Sequence, residues 1–70
     1  METKEFYVVY LDEDNILCHL YISAHTAREA LANFWSRETH KYFDVVKVIE
    51  WISNSSQVTH LVKDNKIITT

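Results

Sequence analysis

The chain has 70 residues, 47% of them hydrophobic and 24% charged, and a formal net charge of −3. That composition predicts one globular domain over residues 1–70 and excludes a disordered tail. The weak negative charge argues against nucleic acid as a partner, because Lys and Arg contacts to phosphate dominate such binding.

The single cysteine, Cys18, allows no internal disulfide. A domain this small without a disulfide framework is typical of a reducing compartment. No stretch approaches the ~18 apolar residues of a membrane span, and the N-terminus METKEFYVVY lacks the features of a secretory signal. We therefore expect a complete, cytoplasmic protein with no membrane partner.

The chain contains neither glycine nor proline. The glycine-dependent phosphate loops, the P-loop and G-x-G-x-x-G, are therefore excluded, and with them the commonest nucleotide-binding enzymes. The turns must rely on Asn and Asp, which tolerate a left-handed backbone better than other residues that carry a side chain.

Two strands are predicted over residues 4–11 and 16–22, which are rich in Val, Ile, Leu and Tyr and flank the turn-forming stretch DEDN. A helix is predicted to start at Thr26, because T-A-R-E places Glu29 three residues later, as in a capping box. Apolar residues then recur with the spacing of a helix that packs on a sheet. They are Ala27, Ala30, Leu31, Phe34 and Trp35.

The second half of the chain predicts strands over residues 43–52 (FDVVKVIEWI) and 57–63 (QVTHLVK), with the turn SNSS between them. The segment KIITT, residues 66–70, predicts a short fifth strand. Hairpins pair neighbouring strands and a β-α-β crossover is right-handed, so strand three should lie beside strand one. We therefore predict an α+β, two-layer β-β-α-β-β fold with an antiparallel sheet of order 2-1-3-4 and one helix on one face.

The orientation of the first two strands depends on the register of their turn. A turn centred on Glu13 and Asp14 pairs Leu11 with Ile16 and Tyr7 with Leu20. The more aliphatic face is then predicted to lie under the helix, and it carries Tyr7, Val9, Leu11, Ile16, Cys18, Leu20 and Ile22. The opposite face mixes aromatic residues with one histidine, and it carries Phe6, Val8, Tyr10, Leu17, His19 and Tyr21.

The second hairpin leaves two assignments open. If the turn pairs Ile52 with Gln57, one face carries Val45, Lys47, Ile49, Trp51, Val58, His60 and Val62. The other face then carries Val46, Val48, Glu50, Ile52, Thr59 and Leu61. Both sets are half apolar, so apolar side chains remain on the side away from the helix in either case.

One helix cannot cover both faces of a four-stranded sheet, and a large exposed apolar patch often marks an interface. We therefore predict that the uncovered face binds a protein partner, with aromatic residues providing most of the binding energy. The predicted contact residues are Phe6, Val8, Tyr10, Leu17, His19, Tyr21 and Trp51. A homodimer is the simplest such interface. The alternative is that the aromatic residues decorate a solvated sheet, where β propensity favours them.

Four histidines and Cys18 raise the question of a metal or catalytic site. Paired ligand spacings such as C-x2-C or H-x3-H are absent. Cys18 and His19 are adjacent on a strand and point to opposite faces, so they form neither a metal-ligand pair nor a Cys-His nucleophile. We expect no cofactor, no metal and no catalytic activity.

These features predict a small non-enzymatic protein-binding module. In its length, its lack of glycine and its hairpin-helix-hairpin order, the chain resembles the small accessory proteins of phages and mobile elements, which implies an inhibitor or modulator of a host or defence protein. The alternative is a single-stranded nucleic-acid binder that stacks bases on the same face. A third possibility is a partner strand that adds to an edge of the sheet, at strand two or at KIITT.

Overall fold

A computed structural model describes residues 2–37, 43–64 and 66–68. Within these ranges the elements are β1 (Lys4–Leu11), β2 (Leu17–Ala24), α1 (Ala27–Trp35), β3 (Asp44–Ser53), β4 (Ser56–Lys63) and β5 (Lys66–Ile67). The strands form one antiparallel sheet in the order β2-β1-β3-β4-β5. The predicted α+β fold, the strand order and the short fifth strand are confirmed, although residues 69–70 of the KIITT segment lie outside the described ranges.

The helix α1 begins where the capping motif places it. Thr26 is the N-cap, and its side chain accepts a hydrogen bond of 3.1 Å from the backbone N–H of Glu29. The Glu29 carboxylate lies 3.2 Å from Nδ1 of His25, the residue that precedes the cap. The helix ends at Trp35, and the N–H of Ser36 donates to the carbonyl of Ala32. The part of the chain that the structure describes contains no helix with the length and apolarity needed to cross a membrane.

The core lies between α1 and one face of the sheet. Because the apolar stripe of the helix faces the strands, its side chains meet those of β1, β2 and β3. Aromatic rings extend this core: the ring centroid of Tyr10 lies 5.0 Å from those of both Phe34 and Phe43. The buried members of the core are Phe6, Val8, Ile22, Ala24, Ala30, Leu31, Phe34 and Val48.

The first hairpin pairs in a register one residue away from the predicted one. Leu11 pairs with Leu17, not with Ile16, and the loop contains three residues, 13–15. A two-residue loop needs positive φ at both of its residues in a type I′ turn, or glycine at the first residue in a type II′ turn. The three-residue loop needs positive φ only once, and Asn15 supplies it with a φ of 60°. In a chain without glycine the longer loop is therefore the less strained one.

That one-residue shift reverses the orientation of β1, because side chains alternate between the two faces of a strand. Phe6 and Val8 are fully buried under α1, and Tyr10 packs against the helix residue Phe34. The predicted orientation of β1 is therefore wrong. The predicted orientation of β2 is correct, since Ile22 is buried in the core and Leu17, the partner of Leu11, lies on the opposite face.

The second hairpin contains a similar shift. Ser53 pairs with Ser56, as the predicted two-residue turn requires, but Trp51 pairs with Gln57. Ile52 is thus the extra residue of a β-bulge, and the pairing of Ile52 with Gln57 does not form. The face away from the helix carries Lys47, Ile49 and Trp51 of β3 beside Gln57, Thr59 and Leu61 of β4. Three of the four β3 residues of one predicted set are therefore combined with the opposite β4 set. The fourth, Val45, packs on the helix side, because the register with β1 shifts between Val9 and Tyr10.

Candidate protein-binding face

The side of the sheet opposite α1 is left uncovered by the described elements, and we call it the open face. Its position follows from the pairing, because residues that face each other across antiparallel strands point to the same side. The open face is built from Tyr7, Val9, Leu17, His19, Tyr21, Lys47, Ile49, Trp51, Gln57, Thr59 and Leu61. It spans four strands, so a rigid sheet fixes the relative positions of its side chains.

Tyr7 is the centre of an aromatic cluster on the open face. Its ring centroid lies 5.7 Å from that of Tyr21, 5.9 Å from that of His19 and 6.4 Å from that of Trp51. All three contacts are edge-to-face, with interplanar angles of 65°, 68° and 81°. This geometry is the favoured one for aromatic pairs. We call these four residues the Tyr7 cluster.

A shallow depression of about 480 Å³ lies beside the Tyr7 cluster. Its apolar floor includes Val9 and Ile49, and its rim includes His19, Lys47 and Gln57. Val9 is only 8% exposed although no described helix or strand lies over it, so the side chains around it shield it. The volume falls within the range of small-ligand sites, about 300–1,000 Å³. The depression can therefore accept one or two side chains of a docked protein.

The charged side chains next to the cluster have opposite signs. Glu5 accepts a hydrogen bond of 3.4 Å from the hydroxyl of Tyr21. Partial burial, together with the negative charge of Glu5, raises the pKa of Tyr21 above its usual value, so the phenol stays neutral. Lys47 is the cross-strand partner of Val9. Beside the cluster, one anion and one cation thus flank an otherwise apolar surface. Farther out on the same side of the sheet, the alternation along β4 places Lys63 with its partner Lys66, and the pair of Leu11 with Asp44 places one more carboxylate.

The predicted contact residues divide between the two faces. Leu17, His19, Tyr21 and Trp51 lie on the open face, and three of them belong to the Tyr7 cluster. The other three lie on the helix side and cannot contact a partner bound to the open face; they are Phe6, Val8 and Tyr10. Seven residues of the open face were not predicted as contacts, because the sequence pattern placed them on the helix side or left their face undecided. They are Tyr7, Val9, Lys47, Ile49, Gln57, Thr59 and Leu61.

Metal binding and thiol reactivity depend on the histidine, cysteine and carboxylate side chains. Among the described residues, no group of three or more His, Cys, Asp or Glu side chains could hold a metal ion. The thiol of Cys18 lies 3.8 Å from the Asp12 carboxylate, on the opposite side of the strand from His19. Partial burial, and then the charge and hydrogen bond of Asp12, raise the pKa of Cys18. A nucleophilic cysteine needs a lowered pKa, so these surroundings disfavour the thiolate.

No protein-family model, curated protein or solved structure matches the chain significantly. The function of the chain must therefore be inferred from the geometry of the open face.

Proposed function

We propose that the chain is a small, non-enzymatic protein-binding module that acts through the open face. The observation that supports this proposal is the Tyr7 cluster, four ring side chains held edge-to-face on a surface that no described element covers. Aromatic residues beside a pocket that excludes water are the usual centres of binding energy in protein interfaces. The cluster and the adjacent depression provide both elements.

We further propose that the module inhibits or modulates its partner by occupying a surface of it, as the resemblance to accessory proteins of phages and mobile elements implies. The face is held by β2, β1, β3 and β4, so little conformational entropy is lost when it binds. A chain of 70 residues can cover a functional surface of a larger protein without adding chemistry of its own. Cytoplasmic location is part of this proposal, because free Cys18 fits a reducing compartment.

Protein is favoured over single-stranded nucleic acid because of the charge on the face. Binding to phosphates requires a positive groove along the path of the backbone. Glu5 and Lys47 offset each other beside the Tyr7 cluster, and the net charge of the whole chain is −3. The aromatic rings could stack on bases, but a chain of net charge −3 whose lysines on this side are partly balanced by Glu5 and Asp44 provides little of the electrostatic attraction that dominates such binding.

A matched pair of arginine substitutions tests the proposal. Thr59 is exposed and lies on the β4 side of the open face as the partner of Ile49, which lines the depression, so Thr59→Arg adds bulk and charge next to the depression without removing a core contact. The adjacent Val58, which is 41% exposed, lies on the opposite side of β4, and Val58→Arg makes the same change in charge there. Affinity capture from lysate followed by mass spectrometry identifies partners of the wild-type chain, whose affinities for each variant are then measured.

We expect Thr59→Arg to weaken partner binding by about 10-fold or more, and Val58→Arg to leave it nearly unchanged, because a bulky charge beside the depression blocks a contact there, which costs about 1–3 kcal/mol. Circular dichroism checks that both variants fold. A partner held equally by both variants would exclude the open face as its site. A labelled oligonucleotide provides the competing result: tighter binding by Thr59→Arg, lost steeply as salt rises, would replace the proposal with nucleic-acid binding.

A further inference from the structure

The strand β2 is an edge of the sheet, and its outer side is unprotected. It has eight residues, LCHLYISA, and contains no Lys, Arg, Asp, Glu, Pro or Gly. Among the described residues, none pairs with its outer side. Soluble proteins usually protect such an edge with charges, proline, a bulge or a short strand. At the other side of the sheet, β5 has two residues and pairs only with Val62 and Lys63. Among the described residues, the outer side of β4 from Ser56 to His60 is therefore a second unpaired edge, but it is five residues long, whereas the β2 edge has eight.

The backbone groups that β2 directs outward can be identified from the hairpin. The N–H of Asp12 donates to the carbonyl of Ile16, so Ile16 and every second residue after it bond to β1. The intervening residues therefore direct their N–H and C=O groups away from the sheet. These are Leu17, His19, Tyr21 and Ser23, and together they provide a donor and an acceptor at each of four positions.

We propose that the outer side of β2 pairs antiparallel with β2 of a second copy of this chain. Two identical strands related by a two-fold axis match donor to acceptor, because the same surface serves on both sides of the interface. With Leu20 opposite Leu20 of the second copy, His19 lies opposite Tyr21 and Leu17 lies opposite Ser23. This register uses all four outward positions on each strand, whereas a register centred on His19 or Tyr21 leaves one of them unpaired.

The side chains of β2 fit this arrangement. A two-fold axis brings equal charges together, and β2 has no Lys, Arg, Asp or Glu that would be repelled by its own copy. On the open face, Leu17 is 63% exposed in the single chain, and the pairing would partly cover it. On the helix side, Cys18 would face Ile22 of the second copy, so the native thiols would not meet.

The pairing would join two sheets into one continuous sheet of ten strands. It would place the two Tyr7 clusters on the same side of that sheet, next to each other across the new strand pair, because Tyr21 and His19 belong to both the cluster and the edge. The dimer depends on the β2 edge alone and does not require the open face to bind a partner. It goes beyond the proposed function by doubling the surface that a partner could recognise.

The mass in solution and a backbone substitution provide the first test. Light scattering and sedimentation should give twice the chain mass of 8.3 kDa at high concentration. His19→Pro removes an outward N–H, and edge strands tolerate proline where the N–H faces solvent. It should weaken the dimer roughly 100-fold, because two hydrogen bonds are lost and two carbonyls are left unpaired. His19→Ala keeps the N–H and should remain dimeric, and circular dichroism checks the folding of each variant.

Crosslinking provides a second measurement that holds even if His19→Pro does not fold. In a Cys18→Ser background, Leu20→Cys would lie on the two-fold axis in a non-hydrogen-bonded pair, with Cα atoms about 4.5 Å apart, within disulfide range. Mild oxidation should crosslink it rapidly. Thr59→Cys in the same background would lie on the open face, three strands away from the β2 edge, and should not crosslink. A wild-type chain that stays monomeric, or a dimer that crosslinks through Thr59→Cys and not through Leu20→Cys, would overturn the proposal. The substitutions Thr59→Arg and Val58→Arg should leave the dimer intact in light scattering. The proposal that the open face binds a partner and the proposal that β2 forms a dimer can therefore fail separately.

Discussion

Replacing Asn15 by alanine tests whether one left-handed residue holds the first hairpin in its register. The N–H of Asn15 donates to the carbonyl of Asp12 at 3.0 Å, and the φ of Asn15 is 60°. The Asp12 side chain completes the loop by accepting hydrogen bonds from the N–H groups of Asp14 and Ile16, at 2.9 and 3.0 Å. These contacts form only if the chain turns at Asn15.

The expected magnitude follows from this conformation. An L-residue with a Cβ loses about 1–2 kcal/mol in the left-handed region, and asparagine loses less than most because its short polar side chain can hydrogen-bond locally. Asn15→Ala should therefore lower the free energy of unfolding by about 1 kcal/mol. A domain of 70 residues has a total of about 4–10 kcal/mol. The loss corresponds to a decrease in Tm of about 4–8 °C.

The assay is thermal and urea unfolding followed by circular dichroism. Glu13→Ala is the matched control, because Glu13 is an exposed residue of the same loop whose φ is not positive. The free energy of unfolding of Asn15→Gly should stay within about 0.5 kcal/mol of the wild type. Glycine adopts the left-handed conformation without the steric cost of a Cβ, but it loses more conformational entropy on folding, so the two effects offset each other. Equal stabilities of Asn15→Ala and Glu13→Ala would refute the reasoning that Asn15 determines the loop.

Two further predictions concern the helix side of the sheet. Phe6→Ala should lower the free energy of unfolding in urea by about 3–5 kcal/mol, whereas Leu17→Ala, at a position 63% exposed, should change it by about 0.5 kcal/mol or less. A loss at Phe6 as small as that at Leu17 would mean that β1 has the other orientation. Alkylation of Cys18 with iodoacetamide should show an apparent pKa above that of a free thiol, because partial burial and the Asp12 charge disfavour the thiolate. Asp12→Asn keeps the side-chain oxygen that accepts the hydrogen bonds of the loop and removes the negative charge. It should therefore lower the pKa of Cys18 and speed its alkylation near neutral pH. An unchanged pKa would show that Asp12 does not raise the pKa of Cys18.

The elements and their order could be predicted because each depends on a local signal. Thr26 and Glu29 mark the start of the helix, and the helical stripe ending at Trp35 marks the side that packs. Strand order then follows from hairpin pairing and the handedness of the crossover. None of these steps requires knowing which residues of two strands lie opposite each other.

The faces of the strands require that knowledge, and β1 provides no alternation from which to obtain it. Phe6, Tyr7, Val8 and Val9 are consecutive and apolar or aromatic, so either orientation buries two of them. An error of one residue in the loop then reverses the whole strand. The absence of glycine was the signal that could have decided the loop length, because a type I′ turn needs positive φ at two neighbouring residues that both carry a Cβ, whereas the three-residue loop needs it once, at Asn15. The bulge at Ile52 has no comparable signal in the sequence.

The consecutive apolar residues of β1 are explained by the two environments that the strand separates. Phe6 and Val8 are covered by α1, whereas Val9 has no described element above it and is still only 8% exposed. The Tyr7 cluster and the side chains around the depression therefore already shield the apolar floor in the single chain. A partner that docks on the open face would meet rings held in place by one another, and it would not have to wait for them to order. This is why the decisive substitution is one that adds a side chain at Thr59: removing Tyr7 would expose Val9 and mix a loss of stability with a loss of binding.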